Sequence, residues 1–338
     1  MEPEVRAAGV VVEGVAALTN ETLRRWVKGW CVYKKKDLPH ISMWDTHLVT
    51  DMSELFKDQY DFNDDIGAWD TSSVTTMKGM FSVKNNLWLG DKCMIFDQDL
   101  GAWDTSKVTN MSHMFTGCES FKGAGIGRWD TASVTDMTWM FTDCKKFNGD
   151  ISKWSVGNVE TMSYMFAYAE SFNRDISSWS VHKVQDMSNM FRDAAAFDQP
   201  IGGWRVDNVT NMNSMFYGAE AFNQPIGDWQ VHNVRNMACM FAAKEITEQY
   251  YFHHKKEWRT RVIGFENMAF NQPIGGWDVS KVTNMSYMFY GASAFNQDLS
   301  KWQITVQWNP MTSLPLSFSF PFEEKHRPTV RTECCTIS

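Results

Sequence analysis

Residues 172–194 read FNRDISSWSVHKVQDMSNMFRDA, and the same arrangement of large apolar residues returns along most of the chain. Tryptophan marks the period, because six of the nine intervals between its repeating occurrences are 25 residues and the others are 34, 26 and 48. The repeating tryptophans are Trp44, Trp69, Trp103, Trp129, Trp154, Trp179, Trp204, Trp229, Trp277 and Trp302. This fixed period predicts a tandem-repeat protein of nine full units and a partial tenth.

Within each unit, the apolar residues keep fixed distances from the tryptophan. Valine follows it by five residues, methionine by eight and usually eleven, and phenylalanine by twelve. The predicted core residues of the central units are Trp154, Val159, Met162, Met165, Phe166, Phe172, Ile176, Trp179, Val184, Met187, Met190, Phe191, Trp204 and Trp229. A single 25-residue unit cannot bury so many large side chains, so we expect neighbouring units to stack around one continuous core.

The local pattern predicts an α/β repeat solenoid, a curved stack in which each 25-residue coil contains short strands and a short helix. Alternating β-branched and aromatic residues around the tryptophan favour short strands. The Met-Ser-x-Met-Phe segment, as in residues 187–191, has apolar residues at helical spacing and favours one or two helical turns. A right-handed β-solenoid is the alternative architecture.

The chain is predicted to divide into three regions. Residues 1–38 contain a helix that caps the first unit, with Asn20 or Thr22 as its N-cap, and residues 39–302 form the repeat solenoid. The apolar face of the capping helix consists of Leu23, Trp26, Val27 and Trp30. Residues 303–338 form an irregular tail, for which disorder and an incorrect gene model are the two interpretations.

Two insertions interrupt the period, near residues 82–95 and 242–267. The second one departs from the repeat pattern throughout its length. Long loops on repeat proteins often carry function, so a partner-binding loop is one interpretation. Sequence retained from an intron is the other.

Composition limits the functions that are open to the chain. Its 338 residues include 32 Lys and Arg against 40 Asp and Glu, a net charge of -8. An acidic chain provides no positive field for nucleic acid, so we expect no nucleic-acid partner. No apolar run has the length of a transmembrane helix, and the apolar residues 7–18 are interrupted by Glu13 and Gly14, unlike an export signal. We expect a soluble monomer without a transmembrane segment.

No group of residues has the pattern of a catalytic, cofactor or metal site, and we expect none of these. Aspartates such as Asp130 and Asp175 recur at fixed positions, but repetition gives them similar environments, whereas an acid/base pair needs two different ones. Capping of turns by their side chains is the simpler interpretation. A ladder of calcium ions bound to stacked carboxylates is the alternative.

Three cysteines are candidates for modification. Cys118 and Cys144 occupy the same position in adjacent units, within reach of a disulfide if the compartment is oxidising. Cys335 begins a C-terminal Cys-Thr-Ile-Ser sequence that has the form of a prenylation signal, which makes it a lipidation candidate.

The repeat in residues 172–194 resembles that of the BspA family of leucine-rich repeat surface proteins, in the branch first described as a mycoplasma lipoprotein-type repeat of unknown function. This resemblance covers about four fifths of the chain, although no leucine occurs between residues 101 and 298. It implies a curved, leucine-rich-repeat-like solenoid. For the bacterial relatives it also implies exported adhesins that bind matrix proteins or other cells.

The functional expectation is a non-enzymatic scaffold that binds a protein or glycan partner through its exposed polar residues, such as Lys183 and Asn208. The resemblance places it at the cell surface, although no signal peptide is recognisable. A structural spacer at the cell surface is the first alternative, and a cytoplasmic scaffold is the second.

Overall fold

The structure is a computed structural model that describes residues 17–35, 37–83, 94–252, 257–306 and 329–332. Regular elements are few in these ranges. They are the helix α1 (Asn20–Cys31) and the strands β1 (Glu245–Phe252), β2 (Glu257–Phe265), β3 (Gln303–Val306) and β4 (Thr329–Thr332). Three single 3-10 turns cover Ile41–Met43, Ile126–Arg128 and Ile201–Gly203. The helix and all four strands lie outside the regular part of the repeat.

The described parts of the repeat units contain neither a β-strand nor an α-helix, so the prediction of short strands and a short helix in each unit is wrong. Each unit instead contributes one residue, seven positions after its tryptophan, to a series of parallel bridges from unit to unit. The bridging residues are Asp51, Thr76, Asn110, Asp136, Thr161, Asp186, Asn211, Asn236 and Asn284. Successive 25-residue units are therefore stacked in parallel, as the period predicts.

A run of tight turns occupies the segment that was predicted to be helical. We call this segment, from eight to fifteen residues after each tryptophan, the turn ribbon. The N–H of Met140 donates to the carbonyl oxygen of Met137 across a turn (3.3 Å), whereas the N–H of Trp139 donates to Ser163 in the next unit (2.9 Å). Local and inter-unit hydrogen bonds alternate in this way along the ribbon. The helical spacing of the apolar residues arises from these turns.

Two positions of the turn ribbon, ten and fourteen residues after the tryptophan, have a left-handed backbone in most units. Ten residues after the tryptophan, φ is +59° at His113, +61° at Trp139 and +58° at Tyr164. Fourteen residues after it, φ is +53° at Asp193. A positive φ at the third residue of a turn usually selects Gly or Asn, and bulky side chains are uncommon there. The inter-unit hydrogen bonds hold these residues in the conformation that the stack requires.

Equivalent side chains stack on each other in the core. The rings of Trp204 and Trp229 are 6.5 Å apart with an interplanar angle of 1°, and those of Phe191 and Phe216 are 5.7 Å apart at 6°. Parallel stacked aromatic rings bury large areas and also attract each other directly. All fourteen predicted core residues of the central units are buried, the most exposed being Trp154 at 4%.

Helix α1 lies against the first unit. Its N-cap is Thr19, whose side chain accepts a hydrogen bond from the N–H of Thr22, rather than Asn20 or Thr22 as predicted. The side chain of Asn20 instead accepts a hydrogen bond from the N–H of Thr50 in the first unit (2.9 Å). The residues of α1 that contact the core are Leu23 and Val27, which are buried, and Trp26, Trp30 and Cys31, which are partly buried.

The second insertion folds as a β-hairpin, in which β1 and β2 pair antiparallel. The stack continues past it, because the ring of Phe241 before the hairpin lies 5.8 Å from that of Phe289 after it. The hairpin is therefore an addition to the stack and does not interrupt it. Residues 84–93 of the first insertion lie outside the described residues.

In the described part of the tail, β3 pairs with β4 in a short parallel sheet. Cys335, the predicted lipidation site, lies outside the described residues. In the ranges that the structure describes, no helix has both the length and the apolar character needed to cross a membrane.

Candidate binding surface

The recurrent aspartates are engaged in backbone turns. The Oδ1 atom of Asp130 accepts a hydrogen bond from the N–H of Ala132 (3.0 Å), and that of Asp175 accepts one from Ser177 (2.9 Å). Hydrogen bonds from the side chain and backbone of Ser177 lower the pKa of Asp175. No group of three or more His, Cys, Asp or Glu side chains in the described ranges is arranged to hold a metal ion. These aspartates stabilise the turns between units.

Cys118 and Cys144 are buried in adjacent units and do not form a disulfide in this structure. The thiol of Cys118 donates to the carbonyl oxygen of Phe81 (3.3 Å), and that of Cys144 donates to Phe115 (3.0 Å). Burial raises the pKa of the Cys144 thiol well above its ordinary value. Both cysteines act as small core residues at a position where later units have alanine.

The surface of the turn ribbon carries aromatic side chains that the repeat core does not require. The ring of Trp139 stacks on that of Tyr164 at 4.0 Å and 12°, and the ring of His113 stacks on Trp139 at 5.6 Å and 13°. All three side chains are half-buried. We call these three residues the aromatic ladder. The two neighbouring rings cover both faces of Trp139, so Trp139 presents its edge to solvent.

An arginine cluster begins in the last unit of the ladder and extends over the next two units. The guanidinium of Arg192 lies 4.1 Å from the ring centre of Tyr217 and 6.0 Å from that of Tyr168. Its Nε donates a hydrogen bond to the hydroxyl oxygen of Tyr168 (3.0 Å). We call these three residues the arginine cluster. Cation–π contacts on two sides restrict the guanidinium to one orientation.

Polar side chains beneath the arginine cluster are buried. Asn189 is 3% exposed, Ser214 4% and Asp193 8%. The Oδ2 atom of Asp193 lies 3.4 Å from Nε of Arg192, whereas its Oδ1 atom has no hydrogen-bond partner among the described residues. Burial raises the pKa of the Asp193 carboxyl group. Arg192 therefore rests on a buried polar layer that includes its own counter-ion.

The β-hairpin lies close to the arginine cluster. Lys244, at the base of the hairpin, forms an ion pair with Glu266 (3.4 Å), and both residues influence the pKa of Asp193. On the other side of the base, the ring of Phe265 packs edge-on against Tyr290 at 4.8 Å. Among the hairpin residues whose side chains the structure describes, the exposed large apolar ones are Ile246, Trp258, Val262 and Ile263. The hairpin extends the aromatic surface beyond the units that carry the two clusters.

Sequence reasoning missed the ladder and the cluster because their residues occupy the variable positions of the repeat consensus. The sequence signal is the presence of Trp, Tyr and Arg at positions where many other units have a small or polar residue. The exposed residues that the sequence did suggest have structural contacts. The Nζ atom of Lys183 donates to Oδ1 of Asn158, and Nδ2 of Asn208 donates to the carbonyl oxygen of His182, both at 2.7 Å.

A family model described as a Mycoplasma protein of unknown function, DUF285, matches residues 31–123, 88–199, 175–268 and 260–314. The four matches follow each other along the chain and together span residues 31–314, so the chain belongs to this family. Four tandem matches confirm that it is a repeat protein. No curated protein and no solved structure matches the chain.

Proposed function

We propose that the chain is a non-enzymatic repeat scaffold that binds a protein or glycan partner at the cell surface, and that the turn ribbon is its contact surface. The observation that carries this proposal is the position of the aromatic ladder and the arginine cluster. Trp139, Tyr164, Arg192 and Tyr217 belong to four consecutive units and lie on the same segment of each. The stack therefore places them side by side on one face.

The residue types of this face support a binding role. Trp, Tyr and Arg are the residues that contribute most often to the binding energy of protein interfaces. Rigid aromatic side chains lose little conformational entropy when a partner binds. The ladder and the cluster are already ordered by contacts within the chain, so most of the ordering cost of a complex falls on the partner.

The spacing of equivalent rings supports a curved, leucine-rich-repeat-like form of the stack. Consecutive rings are 6.5 Å apart in the column of Trp204 and Trp229, but 5.7 Å apart in the column of Phe191 and Phe216, which belongs to the turn ribbon. A stack that bends toward the ribbon has the shorter spacing on that side. Repeat proteins commonly bind partners on such a concave surface.

A surface location is supported by the resemblance of the repeat to the BspA family of surface proteins. The non-enzymatic role is supported by the recurrent aspartates, since turn formation accounts for them without an acid/base function. A structural spacer is the competing role, and it does not explain why half-buried aromatic residues occupy variable positions of the ribbon.

A binding panel tests the proposal. The full chain is measured by biolayer interferometry against immobilised extracellular-matrix proteins and oligosaccharides, together with the double variant Trp139→Ala/Tyr164→Ala. Tyr33→Ala is the matched control, because Tyr33 is an aromatic residue at the end of α1 that is 60% exposed. We expect at least one ligand to lose about tenfold or more in affinity with the double variant and to bind the control normally. Equal binding by all three proteins, or no binding at all, contradicts the proposal.

A further inference from the structure

Arg192 is held more firmly than an ordinary surface arginine. Its guanidinium packs on the ring of Tyr217, its Nε is bound to Tyr168, and Nη1 reaches Oδ1 of Asn189 at 3.5 Å. An arginine side chain normally loses considerable rotamer entropy when it binds a ligand. Here the three contacts fix the side chain within the free protein. The guanidinium is thus ready to bind without further ordering.

One edge of the guanidinium remains available. The side chain of Arg192 is 28% exposed, and among the residues that the structure describes no hydrogen bond or ion pair involves its Nη2 atom. The carboxylate of Asp193 approaches from the Nε side and is itself only 9% exposed. A planar guanidinium with a free edge is suited to a carboxylate, which it binds through short, charge-assisted hydrogen bonds.

The neighbouring rings favour a polypeptide over a glycan as the source of that carboxylate. Sugars stack on open aromatic faces, but both faces of Trp139 are covered, one by Tyr164 at 4.0 Å and the other by His113 at 5.6 Å, and Trp139 covers one face of Tyr164. The guanidinium of Arg192 covers a face of Tyr217. These contacts leave ring edges for a partner, and ring edges pack well against aliphatic and aromatic side chains. The net charge of -8 also disfavours a densely charged polyanion.

We infer that Arg192 anchors an acidic side chain of a polypeptide partner, in a segment whose apolar residues pack against Tyr168 and Tyr217 on either side. This inference rests on the proposed binding role of the turn ribbon and specifies its partner. The Nη2 edge of Arg192 binds the carboxylate, and the edges of the flanking tyrosines contact the neighbouring apolar side chains.

Two capped, fluorescein-labelled pentapeptides test the inference on the full chain, one with the sequence Ala-Leu-Glu-Leu-Ala and one with glutamine in place of glutamate. Binding is followed by fluorescence anisotropy with the wild type, Arg192→Lys and Arg205→Lys. Lysine keeps the charge but loses the planar hydrogen-bonding edge. Arg205 is the control, because it is 74% exposed and pairs with Asp207 in the same stack. Thermal unfolding followed by circular dichroism verifies that each variant is folded.

We expect the glutamate peptide to bind the wild type about tenfold or more tightly than the glutamine peptide, since charge-assisted hydrogen bonds are about twice as strong as neutral ones. This preference should fall below about threefold in Arg192→Lys and persist in Arg205→Lys. In the wild type, the Nε–H resonance of Arg192 should shift with the glutamate peptide in NMR spectra.

Equal binding of the two peptides to the wild type overturns the inference, as does a preference that survives in Arg192→Lys. Tighter binding of trigalacturonate than of the glutamate peptide also overturns it, because the carboxylate would then come from a glycan. The broader proposal is tested separately by the ladder variant Trp139→Ala/Tyr164→Ala. Suppose that this variant no longer binds ligands of the panel, and that the wild type binds the two peptides equally. In that case the inference about Arg192 fails and the proposed binding role of the turn ribbon stands.

Discussion

The indole Nε1 of Trp179 donates a hydrogen bond to the carbonyl oxygen of Ile151, 3.2 Å away in the preceding unit. Equivalent hydrogen bonds are formed by the other core tryptophans from Trp69 to Trp302. Tryptophan therefore fills the core and links adjacent units at once, which leucine cannot do because it has no donor. This dual role explains why tryptophan recurs at this position.

Loss of this donor should destabilise the stack. Trp179→Phe leaves the buried carbonyl oxygen of Ile151 without its partner, which costs about 1–3 kcal/mol, in addition to the cost of the smaller ring. The urea midpoint of unfolding of the full chain measures the effect. Trp26→Phe is the control, because the half-buried Trp26 packs edge-on against Trp44 at the end of the stack. A control that loses as much stability as Trp179→Phe contradicts the account.

The sequence predicts stacking because Trp, Val, Met and Phe recur at equal intervals, and only stacked units bury all of them. It does not predict the turns. In residues 187–191, apolar spacing of three and four residues fits a helix and a pair of tight turns equally well. The deciding feature is the left-handed backbone at Asn189 (φ +57°) and its equivalents. Residues such as Trp139 and Tyr164 at this position give no sequence signal for it.

Adjacent glycines of one unit should respond in opposite ways to substitution by alanine. A Cβ atom on Gly202 would lie 2.2 Å from the carbonyl oxygen of Pro225 in the next unit, whereas one on Gly203 would have no atom within 4 Å. We expect Gly202→Ala to cost about 2 kcal/mol or more, because the units must separate. Gly203→Ala should be neutral or stabilising by up to about 1 kcal/mol. Urea unfolding compares them, and similar effects of both changes would refute the predicted contact.

Acid should destabilise the stack partly through the turn aspartates. Hydrogen bonds from the serine two residues later lower the pKa of Asp150, Asp175 and Asp278. A carboxyl group whose pKa is lower in the folded state stabilises the fold above its unfolded pKa of about 4, and this contribution is lost as the pH falls through the folded pKa. Replacement of all three by asparagine keeps the acceptor oxygen and removes the titration.

The triple asparagine variant should therefore lose less thermal stability than the wild type between pH 7 and pH 3. Thermal unfolding at both pH values measures the difference. Comparison at pH 7 is the internal control, because all three carboxylates are ionised there in the wild type. Equal losses in the two proteins would show that the turn aspartates do not contribute to acid sensitivity.

Removal of the β-hairpin should leave the stack intact. Deletion of residues 244–266 removes 23 residues, which restores the interval of 25 between Trp229 and Trp277. The rings of these tryptophans are already stacked at 6.5 Å. We expect cooperative thermal unfolding with a midpoint within a few degrees of the wild type. The comparison is a deletion of residues 244–256. It removes β1, the partner strand of β2, and leaves the interval between Trp229 and Trp277 longer than 25 residues. An unfolded product of the longer deletion would show that the hairpin is part of the core.

The candidate site was less predictable than the fold. Core positions repeat, so the sequence itself marks them, but a binding surface must differ from unit to unit. Arg192 and Tyr217 stand at a position where four of the other units have Thr or Ala, and only the stack brings them to 4.1 Å. Lys183 and Asn208, the exposed residues that the sequence suggests, form hydrogen bonds between units. A sequence pattern predicts that such residues are exposed, but it does not show which hydrogen bonds they form with the neighbouring unit.

The account requires the turn ribbon to face a partner outside the cell. An antibody raised against residues 100–230, which include the aromatic ladder and the arginine cluster, tests this on intact and permeabilised cells that express the protein. The account predicts that intact cells are labelled and that permeabilisation adds little signal. Labelling only after permeabilisation would contradict the proposed surface role and would place the partner of the turn ribbon inside the cell.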